Sequence, residues 1–202
     1  MSRESLKNTL SLLVITVIAG LLLGLVYEVT KDPIAKQKQK AKEAAYKEVF
    51  EDAKGFEAEE LQADTGDKLK EQGYAADIDE LMRVRDAAGG FAGYVLTVTD
   101  HEGYGGDIQF AMGIKKDGTL CGISFLSIGE TAGLGMKALE SKFKDQFKGK
   151  KAERLVYTKN GASGEDEVDA ISGATITTNA VTNGVNAGIY YCRSLAKEVT
   201  GR

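Results

Sequence analysis

Residues 108–128, IQFAMGIKKDGTLCGISFLSI, contain two runs of apolar and β-branched residues separated by the turn KKDG at 115–118. Asp-Gly at that point predicts a tight hairpin, because both central residues of such a turn take positive φ. Residues 91–99, FAGYVLTVT, alternate in polarity and predict a further strand. Successive strands with short connections favour a mainly antiparallel sheet. The strand-like sequence pattern begins near Leu81, so the sheet is expected to start there.

Helical patterns follow the predicted strands. One helix is expected to end near Phe147, and residues 153–158 indicate one more short strand. The final helix carries an apolar residue every three or four positions, at Val181, Val185, Ile189, Cys192, Leu195 and Val199. Gly184 and Gly188 inside it are expected to allow close packing against the sheet. The fold class is therefore α+β, with helices flanking the sheet.

An uncharged apolar run covers residues 9–27, TLSLLVITVIAGLLLGLVY. As a helix these residues would extend about 28 Å, close to the hydrocarbon thickness of a bilayer. No small-residue cleavage site follows, so we interpret 9–29 as a retained transmembrane helix and not as a signal peptide. Before it lies a tail, 1–8. Residues 30–80 are interpreted as a helical and polar connecting region, with a helix over 34–50, and 81–202 as the single globular domain.

Basic residues flank the apolar run unevenly. Arg3 and Lys7 precede it, whereas five lysines follow between residues 31 and 42. The excess of positive charge on cytoplasmic loops would, by itself, place the large domain in the cytoplasm.

Composition excludes several function classes. The net charge of −4 argues against a nucleic-acid partner. His101 is the single histidine, so a hydrolytic triad has one candidate base. Cys121 and Cys192 lie in no CxxC or Cys/His cluster and are interpreted as small apolar residues, with no metal site. Neither a Rossmann glycine motif nor a P-loop is present.

The decapeptide DAISGATITT, residues 169–178, stands directly before the final helix. Its small residues allow close backbone approach, and a helix start offers free N–H groups and a positive dipole end for a phosphate. Two interpretations remain from spacing alone. One of its Ser or Thr residues caps the helix, or its hydroxyls serve a phosphate-bearing ligand.

Three segments carry a resemblance to a known family. Residues 169–175, DAISGAT, resemble the D-x-x-[ST]-G-A-T flavinylation motif of FMN-binding domains; 130–135, ETAGLG, resemble their E-T-P-G-L-G segment, and 103–106 their G-Y-G-G segment. With the membrane helix, the chain is most similar to G subunits of the Rnf electron transport complex. The C subunits of sodium-pumping NADH:quinone reductase are near relatives. Ala132 replaces the usual Pro, which implies a less rigid loop.

The resemblance implies an FMN attached to Thr175 through a phosphoester bond, installed by a separate flavin transferase. It also implies a membrane-anchored electron relay within a complex that couples ferredoxin and NAD oxidoreduction to Na⁺ or H⁺ transport, alongside other membrane and peripheral subunits. No catalytic residue is expected in the chain itself. In the family the domain lies outside the cytoplasm, which contradicts the orientation that the lysine count suggests. We give the motifs more weight than the lysine count. We therefore expect a single-pass protein of the cell (inner) membrane with an extracytoplasmic domain.

The expected flavin site combines the motif residues with nearby apolar and polar groups. Leu134, Ile171 and Ile176 are expected to form the apolar bed of the ring, and Lys137 is a candidate to stabilise a reduced flavin. The full set of expected cofactor-binding residues is Tyr104, Glu130, Thr131, Gly133, Leu134, Gly135, Asp169, Ile171, Ser172, Gly173, Ala174, Thr175, Ile176, Thr177 and Thr178. The alternative is a membrane-tethered binding or scaffold domain without covalent flavin, and a stand-alone flavin reductase is the third interpretation.

Overall fold

The computed structural model describes residues 3–200, with side chains over 3–197. The chain forms two compact units, divided between Ala41 and Lys42. This boundary does not coincide with the division at residue 81 that the sequence suggested.

Helix α1 extends over Arg3–Val49. Its apolar part is long enough to cross a bilayer, and none of the most apolar 18-residue window is buried by the described chain. Full exposure of such a surface is typical of a lipid-facing helix and not of a soluble core helix. The helix expected over 34–50 is present as far as Val49, as a continuation of α1 through Pro33. Proline removes one backbone donor, while the bonds of the neighbouring turns persist.

A five-stranded antiparallel sheet forms the centre of the second unit, with strands adjacent in chain order. Its strands are β1 Gly55–Glu59, β2 Ala76–Arg85, β3 Phe91–Asp100, β4 Ile108–Lys115 and β5 Leu120–Ser127. The antiparallel α+β fold is thereby confirmed, together with the predicted hairpin between β4 and β5.

The sheet begins earlier than the sequence indicated. Residues 51–80 were expected to be irregular or short helical connecting structure; they contain the short helix α2 (Thr65–Glu71) but also two parts of the sheet, β1 and the first half of β2. In β2, buried Ile78 and Leu81 face the core beneath the final helix and buried Val84 faces the core beneath the end of α1, with charged residues between them. The high acidic content conceals this alternation. Strand β1 lies at the sheet edge, where charged side chains are common.

Both faces of the sheet are covered. Successive residues of a strand point to opposite faces, so Leu96 and Met112 enter one core and Val95 and Ala111 the other. Helix α4, Thr175–Thr200, supplies the first core, and the end of α1 around Tyr46 supplies the second.

Tyr46 also anchors the end of α1 by polar contacts. Its hydroxyl donates to Glu80 Oε2 at 3.0 Å and lies 2.7 Å from Thr97 Oγ1. Lys42 Nζ donates to the other oxygen of Glu80 at 2.6 Å. The last turns of α1 therefore belong to the globular unit.

The glycines of α4 pack as the sequence predicted. A Cβ at Gly184 would lie 2.9 Å from the Phe110 ring, and one at Gly188 would lie 2.2 Å from Met112 Sδ. The helix backbone thus approaches the sheet more closely than any side chain would permit. In the apolar stripe, four residues are buried and Leu195 is half-buried, whereas the side chain of Val199 lies outside the described residues.

The segment after β5 differs from the single helix that the sequence predicted. It consists of a 3-10 turn (Gly135–Leu139), the short helix α3 (Ser141–Lys144) and a second 3-10 turn (Asp145–Phe147). Glu140 adopts an extended backbone and interrupts the helix. Two short parallel strands follow, β6 Val156–Thr158 and β7 Glu167–Asp169, and β7 ends where the decapeptide starts.

Both cysteines are free thiols. Cys121 is half-buried and Cys192 is buried among apolar side chains. Burial raises the pKa of the Cys121 thiol to about 11 and raises that of Cys192 as well. Both residues therefore remain protonated and behave as small apolar groups, as the sequence indicated.

Candidate functional site

Three loop segments and the start of α4 surround one cavity of about 530 Å³. The residues that line it are Tyr104, Glu130, Thr131, Leu134, Gly135, Gly173, Ala174, Thr175, Ile176 and Thr177. All ten are among the predicted cofactor-binding residues. The fold thus brings together segments that lie far apart along the chain.

The threonines of the decapeptide occupy three different environments. Thr175 is the first residue of α4, is half-buried and lines the cavity. Within the described chain its hydroxyl has no hydrogen-bond partner. Thr177 Oγ1 donates to Glu130 Oε2 at 3.0 Å, and Thr178 Oγ1 donates to the Ala174 carbonyl at 2.9 Å. Thr175 therefore presents the uncommitted hydroxyl of the three.

The start of α4 carries no side-chain cap among the described residues. Thr178 Oγ1 accepts from the Ile171 N–H at 3.0 Å, a bond that closes the preceding turn and leaves the helix donors unpaired. The N–H groups of Thr175, Ile176 and Thr177 have no acceptor in the described part of the chain. These residues line the cavity, so its wall offers unpaired donors and the positive end of a 26-residue helix.

Buried Glu130 connects the walls of the cavity. One carboxylate oxygen accepts from Thr177 Oγ1, and the other accepts from the Gly105 N–H at 3.2 Å. A single side chain thus joins α4, its own loop and the loop at 103–106. Gly105 belongs to the G-Y-G-G segment but was not predicted as a site residue, because a backbone donor leaves no side-chain signal.

Two glycines allow these segments to approach. A Cβ at Gly135 would lie 2.5 Å from both Glu130 Oε2 and Thr177 Oγ1, within the hydrogen bond that joins them. Gly173 has φ of 78°, and a Cβ there would lie 3.2 Å from Leu134 Cδ2. Larger residues at either position would displace a wall of the cavity.

Apolar side chains project into solvent around the cavity. Tyr104 is 70% exposed, Ile176 50% and Leu134 44%, although all three are large and apolar or aromatic. Such exposure in a well-packed unit marks a surface that a ligand or partner covers. Ile171, expected beside them, is instead buried in the core.

The remaining predicted residues do not line the cavity. Asp169 ends β7, where its Oδ1 accepts from the Ala162 N–H at 2.5 Å. Its backbone N–H donates to Gln146 Oε1 at 2.6 Å, a contact for which the sequence carried no signal. The others outside the lining are Gly133, Ile171, Ser172 and Thr178, together with the exposed Lys137.

Comparison with known proteins gives this geometry a context. Residues 103–190 match the FMN-binding domain family, and residues 1–49 match the RnfG N-terminal region. The chain is 36% identical over 195 residues to the G subunit of the Na(+)-translocating ferredoxin:NAD(+) oxidoreductase complex of Acetobacterium woodii, covering 95% of this chain and 93% of the relative. The chain belongs to the family of G subunits of ion-translocating oxidoreductase complexes.

Two further G subunits are similar to this chain at lower identity. The G subunit of the proton-translocating ferredoxin:NAD(+) oxidoreductase complex of Clostridium ljungdahlii is 32% identical, over 90% of this chain and 88% of that one. The G subunit of the ion-translocating oxidoreductase complex of Methanosarcina acetivorans is 30% identical, over 94% and 95%. The matched region of the FMN-binding domain contains every residue that lines the cavity.

Solved structures with the same fold include NqrC of Shewanella oneidensis, with a TM-score of 0.51 and 23% identity over 61% of each chain. The C subunit of the Na(+)-translocating NADH-quinone reductase from Parabacteroides distasonis aligns with a TM-score of 0.51 and 19% identity, over 79% of this chain and 95% of that one. These likenesses confirm the fold expected for the G-subunit family.

Proposed function

We propose that this chain is a membrane-anchored flavoprotein subunit that relays electrons through an FMN attached to Thr175 by a phosphoester bond. One observation carries the proposal: Thr175 presents a hydroxyl without a partner in the described chain at the cavity wall, beside unpaired helix donors. A structural cap would engage that hydroxyl, as Thr177 and Thr178 are engaged.

The residues of the cavity fit FMN chemically. A volume of about 530 Å³ lies within the range of small-molecule sites. Leu134, Ile176 and Tyr104 offer apolar and aromatic surface for a ring system. The first N–H groups of α4 offer donors for a phosphate, and the helix end offsets its charge by roughly 0.3–1 kcal/mol.

The flavin, when bound, supplies reversible electron transfer. The chain supplies position and surroundings. Glu130 holds α4 and the loop at 103–106 in fixed register through its two carboxylate oxygens. Because Gly135 has no side chain, the hydrogen bond between Thr177 and Glu130 has room to form.

The remaining predicted residues complete the proposed site from outside the cavity lining. Asp169 and Thr178 hold the turn before α4 by hydrogen bonds, and Ile171 packs beneath it. We propose that Ser172 and Gly133, exposed on either side, are reached by the enzyme that attaches the flavin. This attachment is proposed to require a separate flavin transferase.

Two of the relatives are subunits of ferredoxin:NAD(+) oxidoreductase complexes that translocate Na⁺ or protons. We propose that the chain works within a multi-subunit complex that couples ferredoxin and NAD oxidoreduction to transport of Na⁺ or H⁺. Residues 9–29 would span the cell (inner) membrane once, and the globular unit that begins at Lys42 would face the extracytoplasmic side.

Intact-mass measurement tests the flavin assignment. After co-expression with a flavin transferase, the protein is expected to gain the mass of one FMN less one water, and to keep flavin fluorescence after denaturation. Peptide mapping is expected to place the added mass on the peptide containing Thr175. The bare polypeptide mass under these conditions would reject covalent flavin and favour a tethered scaffold domain.

Protease accessibility in sealed vesicles tests the orientation. In right-side-out vesicles, external protease is expected to digest the globular unit, and in inverted vesicles the unit is expected to be protected. The opposite pattern would place the domain in the cytoplasm, as the lysines after the apolar run suggest by the positive-inside rule.

A further inference from the structure

A second cavity lies between the C-terminal half of α4 and the ends of β2, β3 and β4. Its volume is about 680 Å³, and it shares no lining residue with the cavity at Thr175. Its lining comes from these strands, the β4–β5 turn, residues 151–153 and α4. Neither the proposed electron relay nor the flavin attachment uses this cavity.

The packing of α4 explains why the cavity opens at this point. The helix advances about 6 Å in four residues, and a strand advances a similar distance in two. Gly184 therefore packs on Phe110 and Gly188 on Met112. At the next step the helix carries Cys192, whose side chain prevents the same close approach above Ile114. The space between helix and sheet widens there, and both residues line it.

The floor of the cavity is apolar and aromatic. Ile189 and Leu195 of α4 face Ile114 of the sheet across it. Phe91 and Tyr94 pack edge to face with ring centroids 4.9 Å apart. Ligand sites commonly combine such a surface with a few polar groups in a volume of roughly 300–1,000 Å³, which describes this cavity.

The charged residues of the lining are mainly basic. Three lysines and two arginines contribute five positive charges against the carboxylates of Asp117 and Glu153. Those two acids pair with Lys151, at 3.9 Å, and with Arg193. Lys115 and Lys116 have no ion-pair partner in the described part of the chain. An excess of positive charge therefore stands beside an apolar floor.

Arg83 adds a cation fixed against an aromatic surface. Its Cζ lies 4.6 Å from the centroid of the Phe91 ring, a cation–π contact that holds the guanidinium at the cavity wall. Arg83 Nη1 also pairs with Glu59 Oε2 at 4.0 Å, and the other guanidinium nitrogens make no hydrogen bond within the described part of the chain.

We propose that this cavity binds a small organic anion that has an apolar, preferably aromatic, body and a carboxylate-type head group. The body would lie on the floor formed by Ile114, Ile189 and Leu195. The head group would lie at Lys116, since Lys115 follows Ile114 on the strand and points to the opposite face of the sheet. A neutral ligand of the same shape would leave this charge unused, and a cation would be repelled by it.

Methyl NMR of the full-length protein in a neutral detergent tests this site. Three probes of matched shape are titrated: 2-naphthoate, 2-naphthamide and 2-naphthylmethylammonium. We expect saturable shifts of the Ile114, Ile189 and Leu195 methyl signals, with 2-naphthoate binding about tenfold more tightly than the amide and the ammonium more weakly still. Equal affinity for anion and amide would overturn the proposal.

A second experiment reverses the charge at Lys116. Lys116→Glu is expected to weaken 2-naphthoate binding about tenfold and to leave 2-naphthamide binding unchanged. Lys142→Glu, the same change at an exposed position outside the lining, is the matched control. If Lys116→Glu disturbs the methyl spectrum of the free protein, the neutral variant Lys116→Gln replaces it. An equal loss in control and test variants would reject the site.

Discussion

Replacing Thr175 by alanine is expected to abolish covalent flavin attachment. Its hydroxyl lines the cavity without a hydrogen-bond partner in the described chain, so no other interaction is lost with it. Thr175 is half-buried at the first position of α4, where such a change alters the free energy of unfolding by about 0.5 kcal/mol or less. Intact mass and in-gel fluorescence after co-expression with the flavin transferase measure the outcome, and circular dichroism measures the fold.

Thr177→Ser is the matched control for this prediction. Serine keeps the hydroxyl that donates to Glu130 Oε2, so the wall of the cavity is preserved and flavin attachment is expected to continue. Covalent FMN on the Thr175→Ala variant would show that another hydroxyl is the acceptor. If both variants lose the flavin, the loss comes from a disturbed structure around the start of α4 and not from removal of the acceptor hydroxyl.

The stability of the globular unit is expected to fall with rising pH because of Asp100. This residue is fully buried at the end of β3, beneath Gly184 of α4. Its Oδ1 accepts from the Glu102 N–H at 2.9 Å, whereas Oδ2 has no partner in the described chain. Burial raises the pKa of the carboxyl from 3.8 to about 7, with a smaller contribution from the charge of Glu102.

The direction of this pH dependence follows from the number of protons that the folded and unfolded chains bind. Between pH 3.8 and 7 the folded chain holds a proton on Asp100 that the unfolded chain has released. The stability associated with that proton is complete below pH 3.8 and is lost as pH rises to 7, a change of about 4 kcal/mol. Asp100→Asn carries no titrating group, so its free energy of unfolding relative to wild type is expected to rise by about this amount over the interval.

Urea unfolding of the full-length protein in neutral detergent, followed by circular dichroism at several pH values, measures the difference. Asp117→Asn is a control with the opposite sign. The pKa of the exposed Asp117 carboxyl is lowered, chiefly by the backbone N–H of Thr119, so its contribution to stability is lost as pH falls. If the free energies of unfolding of wild type and Asp100→Asn differ by a constant amount from about pH 4 to about pH 8, the expected ionisation of Asp100 is contradicted.

Local sequence patterns predicted the helices and turns that depend mainly on their own residues and not on distant contacts. The apolar run after Thr9 forms part of α1, and the Asp117-Gly118 pair forms the β4–β5 turn, as predicted. The first half of strand β2 was not predicted, because its acidic residues outweigh the buried Ile78 and Leu81 in composition. Strand β1 was not predicted either, because an edge strand of five residues depends on its neighbour for pairing.

Every residue that lines the cavity belonged to the set predicted from the sequence, and the resemblance to the D-x-x-[ST]-G-A-T motif had already singled out Thr175. The physical difference between the hydroxyls appears in the folded chain. Spacing left Thr175, Thr177 and Thr178 equivalent, whereas folding engages two of them with Glu130 and Ala174 and leaves Thr175 uncommitted. The bond between Thr177 and Glu130 joins partners 47 residues apart, and no local pattern records which hydrogen bonds such distant groups will form.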